Sequence, residues 1–361
     1  MLVVDGHLDL AWNALFGNRD LSLSAYTTRA LELERGSKDA AKGTVALPEL
    51  RRGRVALCCA TLLARSTGCP VVHLDYRSPA QACGSALGQL AYYRALERQG
   101  TVRVITHRGA LKGHLADWQA WESVAETARE QTPPLGFVVS MESADPILDP
   151  EHLPQWWAAG VRVIGPAHYG PGRYAGGTGT ETGLTELGRP LLEHMQRLGI
   201  VLDVTHFSDQ AFWQALEHWD GAVLASHNNC RTLVPHQRQF SDDQIAEIVR
   251  RDGVIGVSLD AWMLQPGWVK GLSTNERLTL QSVADHIDHI CQLAGNARYA
   301  AIGSDLDGLF GCDQVPRDVD TIADLQRLPA VLAQRGYSPT DVAQVMHGNW
   351  LRLLEAALPA E

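Results

Sequence analysis

His7 and Asp9 lie two residues apart in the opening segment DGHLD, a spacing that suits a metal site. If this segment ends a β-strand, both side chains project from the same face and converge on one point. A converging imidazole and carboxylate are suitable ligands for a divalent metal ion. Taken alone, the pair fits a capping aspartate beside a buried histidine equally well.

Five further His, Asp and Glu residues each follow an apolar run closely. They are Glu142, His168, His206, His227 and Asp305. In a parallel β-barrel the catalytic groups lie at the carboxyl ends of the strands. Random placement would scatter such residues over both strand ends and over the helices, so their common position indicates one site.

The types of these residues indicate the metal and its chemistry. Three histidines with Asp and Glu, and without a thiolate, suit Zn²⁺ or a similar borderline metal. We assign one ion to His7, Asp9 and Glu142, and a second ion to Glu142, His206 and His227, because one carboxylate gives an oxygen to each ion. Two ions about 3.5–4 Å apart share a hydroxide that attacks the substrate. Asp305 then takes the proton of the bridging water and passes it to the leaving amine.

The elements that must position these residues alternate along the chain. Eight runs rich in Val, Ile and Leu predict parallel strands buried on both faces, at Leu2–Gly6, Val55–Leu63, Phe137–Met141, Val161–Gly165, Ile200–Val204, Ala222–Ala225, Val254–Leu259 and Ala300–Gly303. Amphipathic stretches between them predict helices, for example at Pro79–Arg98, Leu187–Leu198, Asp209–His218, Asp242–Arg251 and Val283–Leu293. This alternation favours a (β/α)₈ barrel of the α/β class.

The barrel is expected to form one domain over residues 1–361. Two stretches, Asn18–Pro48 and the Gly-rich Pro166–Gly183, are predicted to be long functional loops. Tyr169 in the second loop is a candidate to line a substrate pocket. A terminal helix over Pro339–Ala356 is expected to close the barrel.

Composition and charge exclude several function classes. The 361 residues are 45% hydrophobic and 20% charged, which is typical of a globular protein. The formal net charge of −10, without a block of Lys and Arg, argues against nucleic acid or an anionic membrane as partner. No apolar run approaches the roughly 18 residues of a membrane span.

The cysteines and the first residues indicate a compartment. The seven cysteines are odd in number and form no C-x-x-C pair, and Cys58 and Cys59 lie inside an apolar run. Buried free thiols favour the reducing cytoplasm. The first residues contain no signal peptide, although a mature form whose export signal had been removed would look the same.

Segments across the sequence resemble the membrane (renal-type) dipeptidases, peptidase family M19 of the amidohydrolase superfamily. The matching segments are DGHLDLAW, GRVALCCATLL, the Glu142 strand, GLTELGRPLLEHMQRLGIVLDVTHFSD, SHNNCRTLVPHQRQFSDDQI, VADHIDHICQLAG and IGSDLDG. The resemblance implies a metallodipeptidase with two zinc ions, which hydrolyses dipeptides and often tolerates a D-residue at the C-terminal position. Members of the family are often homodimers.

Two further roles are implied only by this resemblance. His168 would polarise the scissile carbonyl and stabilise the tetrahedral oxyanion. Arg238 would bind the free carboxylate of the dipeptide through its guanidinium fork. Without the resemblance, Arg238 would be interpreted as a surface arginine near a helix start.

The sequence departs from the family pattern around the substrate and leaves the metal ligands intact. Ser143 follows the bridging glutamate, where the family usually has Gly, and Gln239 follows Arg238, where it usually has Asn. Leu306 replaces a usual Phe, and the segment before Tyr169 differs from the usual Leu-Thr-His pattern. Two alternatives therefore stay open: a zinc amidohydrolase for another small amide, an N-acyl amino acid or a lactone, and an inactive barrel that binds a peptide.

Overall fold

The computed structural model describes residues 1–36, 41–125 and 132–361, and the strands of this part form one sheet. They are β1 (Val3–Leu8), β2 (Val55–Leu63), β3 (Val102–Val104), β4 (Leu135–Glu142), β5 (Val161–Gly165), β6 (Val201–Asp203), β7 (Val223–Ala225), β8 (Val254–Val257) and β9 (Ala300–Ile302). Their order is β2-β1-β9-β8-β7-β6-β5-β4-β3, and β2 also pairs with β4. This last pairing closes a parallel eight-stranded barrel, which confirms the predicted (β/α)₈ fold.

The predicted strands are all present, with ends that differ by a few residues. Every residue of β2 and β4 is buried, as expected for strands with a core on one face and helices on the other. The additional strand β3 was not predicted, because a run of three residues has no visible period. β3 pairs with the first residues of β4, whereas β5 pairs with β4 from Val139 onward.

Helices surround the strands in the described part of the chain. They are α1 (Leu10–Phe16), α2 (Ala25–Glu34), α3 (Leu47–Arg52), α4 (Pro79–Arg98), α5 (Arg108–Ser123), α6 (Leu153–Ala159), α7 (Gly188–Leu198), α8 (Asp209–Glu217), α9 (Asp242–Arg250), α10 (Ala261–Leu264), α11 (Leu280–Ala294), α12 (Leu328–Gln334), α13 (Pro339–Ala343) and α14 (Asn349–Ala357). The five predicted as examples correspond to α4, α7, α8, α9 and α11. None of these helices is both long enough and apolar enough to cross a membrane.

The two predicted loops have different outcomes. The prediction of a long loop over Asn18–Pro48 is wrong, because this region contains α2 and the start of α3, while residues 37–40 lie outside the described ranges. Ser24 begins α2, since its side chain accepts a hydrogen bond from the backbone N–H of Thr27. Pro166–Gly183, which is described throughout, is irregular as predicted, with only isolated β-bridges.

The predicted terminal helix over Pro339–Ala356 is interrupted. A π-helical segment, Gln344–Gly348, separates α13 from α14. The extra residue per turn changes the direction of the side chains that follow. Trp350 is buried there, and its indole Nε1 donates to the carbonyl oxygen of Ile302 at 2.8 Å. The start of α14 therefore bonds to the end of β9.

The chain groups into two compact units. Residues 1–55 and 225–351 form the first unit, and residues 56–224 and 352–361 form the second. Strands β1, β8 and β9 belong to the first unit, and β3 to β6 belong to the second. The single domain over residues 1–361 stays a prediction.

Gly303, which directly follows β9, tests how tightly the first unit is packed. A Cβ there would collide with the backbone carbonyl oxygen of Ser226, an atom that cannot move aside cheaply. We expect Gly303→Ala to lower the free energy of unfolding by about 1–3 kcal/mol or more. Urea unfolding followed by circular dichroism measures this change.

Gly84 in α4 offers the matched control, because nothing lies within 4 Å of a Cβ placed there. Gly84→Ala in this exposed helix interior should raise the free energy of unfolding by about 0.5–1 kcal/mol. Equal stability of Gly303→Ala and the wild type would contradict the close packing described above.

Candidate metal centre

The predicted metal and catalytic residues all lie at or just after the carboxyl ends of strands. His7 lies in β1, with Asp9 directly beyond its end; Glu142 is the last residue of β4; His168, His206, His227 and Asp305 follow β5, β6, β7 and β9. All are buried except Asp305, whose side chain is 13% exposed. The predicted placement is therefore found, while the individual roles stay predictions.

The first unit contributes a cluster around His7. Its Nε2 lies 3.7 Å from Asp9 Oδ2 and 3.9 Å from Asp305 Oδ1, and the rings of His7 and His227 have centroids 3.9 Å apart. One ligand atom from each of His7, His227 and Asp305 can be chosen so that all three lie within 4.8 Å of one another. A carboxylate of Asp5 stabilises this end of the barrel by accepting from the backbone N–H groups of His7 and Ser304.

The second unit contributes a cluster around Glu142. Its Oε1 lies 3.2 Å from His206 Nε2 and 3.8 Å from His168 Nε2. The two imidazole centroids are 4.4 Å apart, and the ring of Tyr169 lies 5.0 Å from each of them. Tyr169 is 38% exposed, so it forms a wall of this cluster with one side open to solvent.

Hydroxyl groups orient two of the three histidines that were assigned as ligands. Thr178 Oγ1 lies 3.0 Å from His206 Nδ1 and donates its single hydrogen to the carbonyl oxygen of His206 at 3.3 Å. The oxygen must then accept from Nδ1–H, so that Nε2 of the neutral ring bears a lone pair. Ser226 Oγ takes the equivalent place at His227, 2.9 Å from Nδ1.

These contacts test whether the cluster fits a metal ion. The lone pair of His206 Nε2 faces a carboxylate oxygen of Glu142 at 3.2 Å, an approach that a cation between the two atoms would stabilise. In the first unit, Asp9 Oδ1 is buried and accepts no hydrogen bond from the described residues. Imidazole nitrogens and carboxylate oxygens are the donor set of catalytic zinc sites, so the residues fit the ion.

Backbone conformation explains one departure from the family pattern. Ser143, directly after Glu142, has φ = 65°, a left-handed conformation that glycine adopts without cost. His206 and Asp305 also have positive φ, at 67° and 58°. The backbone therefore turns sharply after three of the strands. The left-handed conformation at position 143 explains why the family usually has Gly there, and Ser143 adopts the same conformation.

Arg238 is buried, so its interpretation as a surface residue is wrong. Its Nη1 donates to the side-chain oxygen of Asn228, and its Nη2 donates to the carbonyl oxygen of His227 at 2.9 Å. Nε has no hydrogen-bond partner among the described residues. A guanidinium has five N–H donors, so three of them are left for a ligand.

The sequence analysis missed several residues that hold this site. Thr178 and Ser226 escaped notice because hydroxyl groups in loops have no distinctive spacing. Arg65, which follows β2, was missed for the same reason, although its Nη1 lies 2.8 Å from His168 Nδ1. Asp307 accepts hydrogen bonds from the backbone N–H groups of Thr44 and Val45 and thereby stabilises the loop that they form.

Asp260 was also missed; it follows β8, which, like β2, had no residue assigned to it. It is buried and accepts hydrogen bonds from Gln314 Nε2 at 2.7 Å and from the backbone N–H of Trp262 at 3.3 Å. Burial raises the pKa of Asp260 to about 7. Its neighbour Met263 accepts a hydrogen bond from Gln239, which directly follows Arg238.

Fold and site together define a closed parallel barrel with His and carboxylate clusters at its strand ends, the class that includes barrel metallohydrolases. The sequence profile described as membrane dipeptidase (peptidase family M19) matches residues 1–360, and the chain belongs to this family. Membership places the chain among the peptidase hydrolases, and the predicted resemblance is confirmed.

Curated relatives include an uncharacterized dipeptidase of Schizosaccharomyces pombe, 30% identical over 208 residues, which are 56% of this chain and 48% of that protein. The matched regions cover 44% of a Claviceps purpurea dipeptidase and 32% of a mouse dipeptidase. The chain therefore spans about half or less of the length of these relatives.

Solved structures match over the whole chain. One is described as dipeptidase AC, a metallopeptidase of family M19 (24% identity, TM-score 0.79, 99% of each chain covered). Another is a metallopeptidase from Rhodobacter sphaeroides liganded with a phosphinate mimic of the dipeptide L-Ala-D-Ala (23% identity, TM-score 0.77, 99% of each chain covered). These likenesses establish the fold.

The raised pKa of Asp260 predicts a pH-dependent stability. The folded protein binds this proton more tightly than the unfolded chain, whose aspartate has a pKa near 3.8. The stabilisation from proton binding is complete below about pH 4 and is lost as the pH rises through 7. Asp260→Asn cannot ionise, so its stability relative to the wild type should rise between these values and level off above them.

Urea unfolding of both proteins across this pH range measures the difference. Asp220→Asn, at an exposed position, controls for the loss of one negative charge. A difference between Asp260→Asn and the wild type that is independent of pH would rule out the buried titration.

Proposed function

We propose that the chain is a binuclear zinc dipeptidase. The observation that supports it most directly is the pair of His and carboxylate clusters, one in each unit, at the carboxyl ends of strands in a closed parallel barrel. Membership of the membrane dipeptidase family supplies the reaction class. The zinc ions, their number and the dipeptide substrate are parts of this proposal.

The proposed ligands are His7, Asp9 and Glu142 for one ion and Glu142, His206 and His227 for the other. Contacts within each unit support this division, because Asp9 lies beside His7 in the first unit and His206 lies beside Glu142 in the second. Glu142 would bridge, because it is common to both sets and offers two oxygens.

The bound ions would supply a nucleophile at neutral pH by lowering the pKa of a water molecule. Asp305 would take the proton of that water; its Oδ1 lies 3.9 Å from His7 Nε2 and its side chain keeps some contact with solvent, which supports this role. Gly308 packs against this carboxylate, and a Cβ there would collide with Asp305 Oδ1. The same carboxyl group then delivers the proton to the leaving amine.

Two other residues would hold the substrate. His168 lies beside Glu142 with its Nε2 directed to the cluster, where it would donate to the oxygen of the scissile carbonyl. Arg238 has three N–H donors left for the C-terminal carboxylate of a dipeptide, and its contact with the His227 carbonyl positions it next to a proposed ligand. Tyr169 would line the open side of the pocket.

The stereochemical preference is proposed from a relative. The Rhodobacter sphaeroides protein was solved with a mimic of L-Ala-D-Ala, a dipeptide with a D-residue at its C-terminal end. We extend this tolerance to the present chain. The cytoplasmic location and the homodimer stay predictions.

The test is hydrolysis by the purified protein of L,L-dipeptides, L,D-dipeptides, their C-terminal amides and N-acyl amino acids. We expect zinc-dependent hydrolysis of free dipeptides, loss of activity with a chelator and its return with zinc, with weaker turnover of the amides because Arg238 loses its partner. Preferential cleavage of N-acyl amino acids would instead identify the chain as a zinc amidohydrolase that acts on another small amide. If the protein bound no metal and showed no hydrolysis after zinc addition, it would be identified as an inactive binding barrel.

Asp305→Asn separates proton transfer from metal binding. The variant retains the size of the side chain but cannot accept the proton, so turnover should fall by roughly 10²–10⁴-fold. Zinc content, measured by metal analysis of the purified protein, should stay near the wild-type value. His227→Asn, which removes a proposed ligand, is the comparison that should lose both turnover and zinc. Near-normal turnover of Asp305→Asn would show that Asp305 does not transfer the proton.

A further inference from the structure

Arg65 is held rigidly beside the Glu142 cluster. Its backbone N–H donates to the carbonyl oxygen of Leu74 at 3.1 Å, and its own carbonyl oxygen accepts from Tyr76 at 2.8 Å. Its Nε lies 2.9 Å from Asp75 Oδ2, and the Asp75 side chain is completely buried. Thr67 donates to both carboxylate oxygens of Asp75, through its backbone N–H and its hydroxyl group.

The guanidinium reaches His168, the one histidine of the predicted site that is not among the proposed ligands. Arg65 Nη1 lies 2.8 Å from His168 Nδ1. Arginine has only donors, so Nδ1 must be the acceptor, and the hydrogen of the neutral imidazole is on Nε2. That nitrogen lies 3.8 Å from Glu142 Oε1, on the side of the cluster.

His206 has the opposite arrangement. Thr178 accepts from its Nδ1–H, which leaves a lone pair on Nε2. The two neighbouring rings therefore present different groups to Glu142: His206 a lone pair suited to a metal ion, and His168 an N–H suited to a developing oxyanion. The partner at Nδ1 determines which of the two each ring presents.

We infer that Arg65, oriented by Asp75, is a positioning residue that holds His168 as an Nε2–H donor and keeps it from acting as a metal ligand. The catalytic consequence rests on the proposed function: the donor is in place before the tetrahedral intermediate forms, so no reorganisation is needed during the reaction. The hydrogen-bond arrangement itself does not depend on activity.

A merely structural arginine would produce a different pattern. Arg65 Nη1 also lies 3.4 Å from the carbonyl oxygen of Tyr169, so its loss could loosen the loop after β5. Asp145 offers the matched control, because it accepts from the backbone N–H groups of Ser66 and Arg173 and thereby stabilises the same segments. Asp145→Asn should lower the melting temperature and leave kcat unchanged.

The kinetic test is a double-mutant cycle on zinc-loaded protein with a dipeptide substrate. Arg65→Ala should reduce kcat by up to the roughly 10²–10³-fold that the loss of one oxyanion donor costs, with a small change in KM and wild-type zinc content. In the His168→Ala background the same substitution should have almost no effect, because the donor it positions is gone. Guanidinium added to Arg65→Ala should restore part of the turnover. Equal losses in both backgrounds would overturn the inference.

A second measurement needs no activity. In the metal-free protein, the ¹⁵N NMR signals of each imidazole report which of its nitrogens is protonated. The signals of His168 are those that disappear from the spectrum of His168→Asn. We expect protonated Nε2 and unprotonated Nδ1 in the wild type, with a mixture of tautomers in Arg65→Ala. Protonated Nδ1 in the wild type would overturn the inference. If the signals are as expected but the protein has no dipeptidase activity, the proposed function is contradicted and the inference about the hydrogen bonds stands.

Discussion

The arrangement of the site depends on one electrostatic constraint, the close approach of a histidine lone pair to a carboxylate oxygen. His206 Nε2 and Glu142 Oε1 lie 3.2 Å apart in a buried environment. Two groups of the same polarity are unfavourable at this distance unless a cation or a proton lies between them. Much of the second unit around the site serves to hold these atoms in this arrangement.

Hydrogen bonds and backbone turns provide that support. Thr178 orients the ring of His206, and the left-handed residues Ser143 and His206 turn the chain where two strands end. Such residues cost about 1–2 kcal/mol each, so their conformation must be stabilised by surrounding contacts. In the first unit, Asp5 accepts from the N–H groups of His7 and Ser304 and joins the ends of β1 and β9.

The same principle distinguishes histidines that would otherwise look alike. A neutral imidazole has one donor and one acceptor, so the partner of one nitrogen decides what the other presents. Thr178 leaves His206 with a lone pair toward Glu142, whereas Arg65 leaves His168 with an N–H. Neighbouring rings with centroids 4.4 Å apart can therefore have different chemical roles.

Much of the fold could be predicted because local patterns determine it. The apolar runs of β2 and β4 are buried at every residue, and period alone distinguishes them from the amphipathic helices. The loop predicted over Asn18–Pro48 was wrong because α2 has no apolar stripe to give a period: its buried residues are Ala25, Thr28 and Glu32. The short strand β3 could not be recognised, since its pairing with β4 depends on residues far away in the sequence.

The sequence by itself determined the barrel, the family and the position of His, Asp and Glu residues at the strand ends. These follow from residue types and short-range spacing, which are properties of the chain before it folds. The tertiary structure decided the partners of each side chain: Arg65 at His168, Thr178 at His206, and the burial of Arg238. Arg65 and His168 are 103 positions apart in the chain, so only the folded barrel brings the guanidinium to the imidazole that it orients.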